Sequence, residues 1–145
     1  RIDIAQAAAQ QLKEVGIDCT VEVPTEVDWG GQMAYLIGWG SPFDADDHTY
    51  KVFGTDKGAN YSSYSNALVD QYLIEARESA DPAVRAEAYD KFQEELAKDP
   101  AFTFICYIDA NYVANSSIQG ISADTVMGHH GVGIFWNVAD WTIGN

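Results

Sequence analysis

The chain has 145 residues, 47% of them hydrophobic, which is enough for one domain with a real core and too little for two. Its 22 acidic against 8 basic residues give a net charge of -14, which repels phosphate backbones and anionic lipid surfaces and excludes nucleic acid as a partner. No run approaches the roughly 20 uninterrupted apolar residues of a membrane-spanning helix.

The chain opens on Arg1-Ile2-Asp3 with neither an initiator Met nor a leader. It reads as a section of a longer polypeptide, so the compartment stays open at this point. Asp3 is placed to cap a first helix over about 4–15, with Ala5, Ala9 and Leu12 at helical spacing and Gly16-Ile17 as its stop. Ile17, Cys19, Val21 and Val23 then alternate with polar residues up to Pro24, the pattern of a half-buried strand. After Trp29-Gly30-Gly31, the run Met33 to Ile37 is apolar on both faces, as in a central strand covered from both sides.

The segment 38–65 is rich in Gly, Asp, Ser, Asn and Tyr and reads as a long functional loop, with a short helix over 49–53. Asn66 caps a helix over 67–79 with Leu68, Val69, Tyr72, Leu73 and Ala76 on one face. Asp81-Pro82 starts the next, over 82–98, with an inner stripe of Ala88, Tyr89, Phe92 and Leu96. Its outer side carries the pairs Glu87/Lys91 and Glu94/Lys98, and Pro100 stops it. Residues 102–108 alternate again as a largely buried strand. The expected fold class is α/β: a mixed sheet of 17–23, 33–37 and 102–108, flanked by the three longer helices.

Several clusters invite chemistry. Asp44-Ala45-Asp46-Asp47-His48 resembles a calcium loop in composition, but Thr49 stands where the sharp turn needs Gly and Thr55 where the bidentate Glu belongs. The adjacent His129 and His130 point to opposite sides of an extended chain and lack zinc spacing. Cys19 and Cys106 read as small core hydrophobes, Cys106 on the buried parity of its strand with no basic neighbour to make a thiolate; a disulfide between them needs neighbouring strands. Asn60-Tyr61-Ser62 and Asn115-Ser116-Ser117 match the glycosylation acceptor, a pattern that is frequent by chance. A metal-dependent hydrolase is the alternative of another class. It requires Asp44, Asp46, His48 and His129 to converge on one ion at about 2.0–2.6 Å.

Read in order, Ile4-Ala5-Gln6 through Leu12 to Ile17, Gly38-Trp39-Gly40-Ser41-Pro42-Phe43-Asp44, Tyr61 to Asn66, the helix pair through Asp81-Pro82 and Arg85, and the segment from Ala101 to Ala114 before Gly120-Ile121 resemble the family 5 solute-binding proteins of ABC importers. That family includes dipeptide, oligopeptide and nickel binders. The resemblance spans nearly the whole chain and implies a section of the C-terminal lobe of a periplasmic-binding-protein-like (class II) fold. Residues 1–145 then form a single domain, with 121–145 as a tail returning toward the absent N-terminal lobe.

The function it implies is capture of an oligopeptide or dipeptide, with a nickel or metal-chelate ligand as the alternative, and no catalysis or cofactor. Its partners are the solute, an ABC permease in the membrane and the N-terminal lobe. Its place is outside the cytoplasm, in the periplasm or as a cell-surface lipoprotein. The loop that faces the interlobe cleft in the family corresponds to the Trp39 region, which makes Trp39, Ser41, Phe43, Asp44, Asp46, His48 and His129 the expected ligand-contacting residues.

Two departures bear on the ligand. Peptide binders that grip a free amino terminus carry an aspartate near the place of Ser41. Nickel-type members carry a histidine near the place of Asp46, whereas here His48 follows two positions later. The connection 26–31 is also shorter than the family's helix at that place, which bears on the strand order.

Overall fold

The computed structural model describes residues 1–29, 31, 33–40, 44–109, 111–122 and 133–144, in two compact units, Arg1–Gly38 and Trp39–Asn145. The expected site residues Ser41, Phe43 and His129 lie outside the described residues.

The first unit is built on helix α1, Ile2–Glu14. Gly16 sits at φ +86°, the left-handed region that favours glycine, and donates to Lys13 O while Ile17 donates to Leu12 O. This pair of bonds satisfies the last carbonyls of the helix, as the Gly16-Ile17 signal predicted. Asp3 does not cap it: Arg1 holds the cap position, no side chain bonds there, and Asp3 instead lies in the acidic first turn. No α1 residue is buried. Farther along, the Tyr35 hydroxyl donates to Asp28 O at 2.9 Å and its ring lies 5.4 Å from that of Trp29.

The second unit is organised by α2 (Asp46–Phe53), α3 (Ala67–Glu78) and α4 (Pro82–Lys98). Both sequence-predicted caps form. Asn66 Oδ1 accepts from the Leu68 and Val69 amides at 3.0 and 3.3 Å. Asp81 Oδ1 accepts from Ala83 at 2.8 Å, with Pro82 in the first turn where its missing N–H costs nothing. Replacing Asn66 with Ala is expected to destabilise the unit by about 1 kcal/mol, measured by urea unfolding; Asn66→Asp, which keeps an acceptor at the positive end of α3, should lose much less.

Val69 and Leu73 of α3 close on Phe92 and Leu96 of α4 to form the core, with Tyr50, Phe53, Tyr64, Tyr72, Tyr89 and Ala101 packed around them. The Phe53 ring reaches both Phe92 (5.4 Å) and Phe102 (5.6 Å), which fastens α2 to the same core. Leu68 departs from the expected face and is exposed, because the buried stripe runs through Val69, Leu73 and Ala76 at spacings of four and three. On the outer side of α4, Lys91 pairs with Glu87 as expected, at 2.7 Å, but Lys98 pairs with Glu95 and not with Glu94. Three and four residues are equivalent neighbours on a helix surface, so spacing alone does not choose between them.

The main correction concerns the strands. None of 17–23, 33–37 and 102–108 is a paired strand; the one sheet among the described residues is the antiparallel pair β1 (Ile118–Gln119) and β2 (Thr142–Ile143), with Ile118 opposite Ile143. Met33 and Tyr107 are fully exposed, and Ile17, Val23, Phe104 and Ile108 are exposed as well. Their apolar pattern is that of buried strands, but a strand requires a neighbour to complete its ladder, and the described residues supply none here.

Cys19 and Cys106, expected to be buried, share the fate of these segments: both are exposed and free. The β1–β2 pair is held by local bonds. Gly120, at φ +88°, brings its backbone so close to Asp140 that a Cβ would stand 2.8 Å from that carbonyl oxygen. Asn137 then donates to Gly120 O at 2.8 Å and accepts from Trp141 Nε1 at 3.0 Å.

Candidate functional site

The acidic stretch that the sequence places in a loop is the start of a helix. Asp44 Oδ1 accepts from the Asp46 amide at 2.8 Å, Asp47 donates to Asp44 O, and Thr49 donates to Ala45 O, so α2 begins at Asp46. The short helix expected over 49–53 therefore starts three residues earlier, because Asp44 ties the chain to its own backbone two residues on. Asp46 and Asp47 then occupy the positive end of the helix, where negative charge is favoured.

Asp44 is engaged a second time, by Arg85 of α4, whose Nη2 donates to the same Oδ1 at 2.6 Å. The Asp46 amide and the Arg85 guanidinium together hold the Asp44 carboxyl below the ordinary aspartate range. A group depressed in this way lends stability that is complete above the ordinary aspartate value and is lost as pH falls through the lowered native one.

Asp46 and His48 leave the first turn of α2 in different directions. Asp46 Oδ2 lies 3.5 Å from Arg77 Nε of α3, while its Oδ1 is sealed from solvent with no hydrogen-bond partner among the described residues. His48 Nδ1 stands 3.1 Å from the Asp47 carboxylate without hydrogen-bond alignment, and Asp47 also pairs with Lys51. The His48 ring meets Trp39 edge-on, centroids 5.7 Å apart at 84°, and Trp39 lies nearly parallel to Tyr61 at 6.2 Å and 11°. Trp39, His48 and Tyr61 thus form one partly exposed aromatic group, an apolar wall with an imidazole at its side.

The loop that carries Tyr61 is tied together by Asn60. Asn60 Nδ2 donates to Gly54 O and Tyr64 O at 3.0 and 2.7 Å, and its Oδ1 accepts from the Tyr64 amide at 3.0 Å. The side chain that matched a glycosylation acceptor is consumed in this loop. Beside it, the Tyr50 ring is sandwiched between the Arg77 guanidinium (3.9 Å) and Lys57 Nζ (4.9 Å). The Lys57 ammonium, with Arg77 on the same ring, holds the Tyr50 phenol below its usual value.

The structure thus brings Trp39 and His48 together and keeps Asp44 and Asp46 in ion pairs on the scaffold. Among the described residues no three His, Cys, Asp or Glu side chains gather as a metal site, and Asp44, Asp46 and His48 are spread among Arg85, Arg77 and Asp47. Arg77, Arg85 and Tyr61 are the members of this region that residue reasoning had not put in the site. Tyr61 carried a signal, as an aromatic in the polar stretch after α2. The arginines lie on helices 31 and 41 residues from their partners, a pairing that periodicity does not reveal.

The helices and small sheet are those of part of a periplasmic-binding-protein-like fold. The backbone matches NikZ from Campylobacter jejuni, solved in complex with Ni(L-His), with a TM-score of 0.83 and 33% sequence identity, over 98% of this chain and 30% of that one. The chain is also similar to protein XP55 of Streptomyces lividans, 36% identical over 129 residues (84% of this chain, 24% of that protein). A second curated relative is the oligopeptide-binding protein AppA of Bacillus subtilis, 25% identical over 155 residues (97% of this chain, 26% of that protein). No protein-family model matches. The chain therefore spans about a quarter of the length of these curated relatives.

Proposed function

We propose that this chain is a section of the C-terminal lobe of a solute-capturing subunit of an ABC importer, one that takes oligopeptides or dipeptides and hands them to a membrane permease. The observation that carries this reading is the fit of nearly the whole backbone to NikZ at 33% identity, joined to the sequence likeness to AppA. In this reading the family's N-terminal lobe covers the exposed apolar segments 33–37 and 102–108 or closes over the Trp39 wall, residues 121–145 lead back toward that lobe, and the protein works outside the cytoplasm, in the periplasm or anchored at the cell surface as a lipoprotein. Among the described residues no helix is long and apolar enough to cross a membrane, which suits a subunit that depends on a separate permease.

Trp39, with His48 beside it, supplies an apolar wall and one imidazole to the ligand; Ser41, Phe43 and His129 belong to the same proposed contact set. A pocket between two lobes removes ligand from water only when both walls are present. Calorimetric titration of the whole polypeptide with an oligopeptide is expected to show binding that Trp39→Ala weakens at least about tenfold, roughly 1.4 kcal/mol. This chain alone is expected to bind the same peptide weakly or not at all, and micromolar affinity in the isolated chain would count against a two-lobed clamp.

A second reading, capture of nickel or a metal chelate, is favoured by the Ni(L-His) bound in NikZ. Titration of the whole polypeptide with nickel–histidine separates the two: saturable heat with this probe and none with peptide selects the chelate.

A further inference from the structure

We infer that Arg85 is a positioning residue for the Trp39–His48 face, one whose guanidinium grips the start of α2 and the end of α3 at once. Its Nη2 takes Asp44 Oδ1 at 2.6 Å and its Nη1 donates to Ala76 O at 3.0 Å. Ala76 provides one of the last four carbonyls of α3, which have no partner inside their own helix. Arg85 itself stands in the first turns of α4, with its guanidinium 5.6 Å from the centre of the Tyr89 ring and its side chain only 23% exposed. Three elements therefore meet at one planar group, and two separate acceptors are met by two nitrogens of a rigid fork, whose spacing the single ammonium nitrogen of a lysine does not reproduce.

The connection to the site runs through the first turn of α2. The Asp44 oxygen held by Arg85 is the one that accepts the Asp46 amide and starts the helix. His48 follows two residues later and rests edge-on against Trp39. His48 lies in that first turn, so a start that frays for want of its cap would free the imidazole from the indole. Asp44 thus serves the scaffold through one oxygen, which bonds both its own backbone and Arg85.

The inference rests on the proposed reading of Trp39 and His48 as ligand-facing, but its test reads geometry and not binding, so each can fail without the other. In this chain, the assigned His48 ring protons report the Trp39 ring current by NMR, and the Asp44 carboxyl carbon reports its titration. The other titratable groups near the guanidinium are Asp46 of α2 and Tyr89 of α4, whose signals are followed in the same series.

In Arg85→Gln, with helical circular dichroism retained, the His48 ring protons are expected to move toward their unstructured positions and the Asp44 titration to rise toward the ordinary aspartate range. Arg85→Lys should keep much of the lowered Asp44 titration yet fail to restore the His48 shifts, since it returns the charge without the fork. Asp44→Ala approaches the clasp from the other side, removing the oxygen that accepts both bonds, and should release His48 in the same way. Unchanged His48 shifts in either folded neutral variant, or their full recovery in Arg85→Lys, would overturn the inference; should Arg85→Gln not fold, Asp44→Ala decides.

Discussion

Leu73→Ala is expected to cost about 2–5 kcal/mol, and Leu68→Ala, the same change one and a half turns earlier in the same helix, less than about 1 kcal/mol. Leu73 is 1% exposed and sits in the Val69–Phe92–Leu96 cluster, whereas Leu68 is 45% exposed. Deleting three carbons from Leu73 loses their transfer energy and leaves a void that α3 and α4 cannot close without parting. At Leu68 the deleted atoms already face water. Urea unfolding followed by helical circular dichroism measures both, and similar costs would mean that α3 does not present the Val69–Leu73–Ala76 face to α4.

Asn60→Ala should be nearly as damaging, by about 2–3 kcal/mol, because it removes the bonds to Gly54 O, Tyr64 O and the Tyr64 amide, each worth about 1 kcal/mol. The loop it holds contains two residues in the left-handed region, Asp56 at φ 57° and Ser63 at φ 54°, conformations that persist only when their surroundings impose them. Asn60→Asp keeps the Oδ1 acceptor but turns a carboxylate toward the two carbonyls, so it is not expected to rescue. Amide exchange at Tyr64 should quicken in both variants. Trp39 emission should also change, since Tyr61 stacks on it from this loop. Fast exchange at Tyr64 in the unsubstituted chain would show that the Asn60 bonds do not order the loop.

Most local signals in the sequence correspond to local contacts in the structure, the Asp3 cap and the Glu94–Lys98 pair being exceptions. The caps at Asn66 and Asp81, the Gly16 stop and the Glu87–Lys91 pair all join residues within five positions, and each formed. The core stripes of α3 and α4 followed from period 3.6, apart from Leu68 at the margin. The start of α2 escapes the pattern because its signal is a single aspartate bonding its own backbone two residues on, within a stretch whose composition reads as loop.

By itself, then, the sequence determined the three longer helices and the α3–α4 core, and its ordered motifs supplied the likeness to solute-binding proteins. Only the tertiary structure decided what becomes of the apolar segments and of the charges. Alternation in 17–23 and 102–108 records a side chain's preference to leave water, but burial requires a neighbouring chain at a set distance, and none among the described residues provides it. In the same way, Asp44, Asp46 and His48 look equivalent in the sequence. Asp44 and Asp46 are committed to arginines 41 and 31 positions away, while His48 is left against Trp39, because folding brings α3 and α4 to that side of the helix.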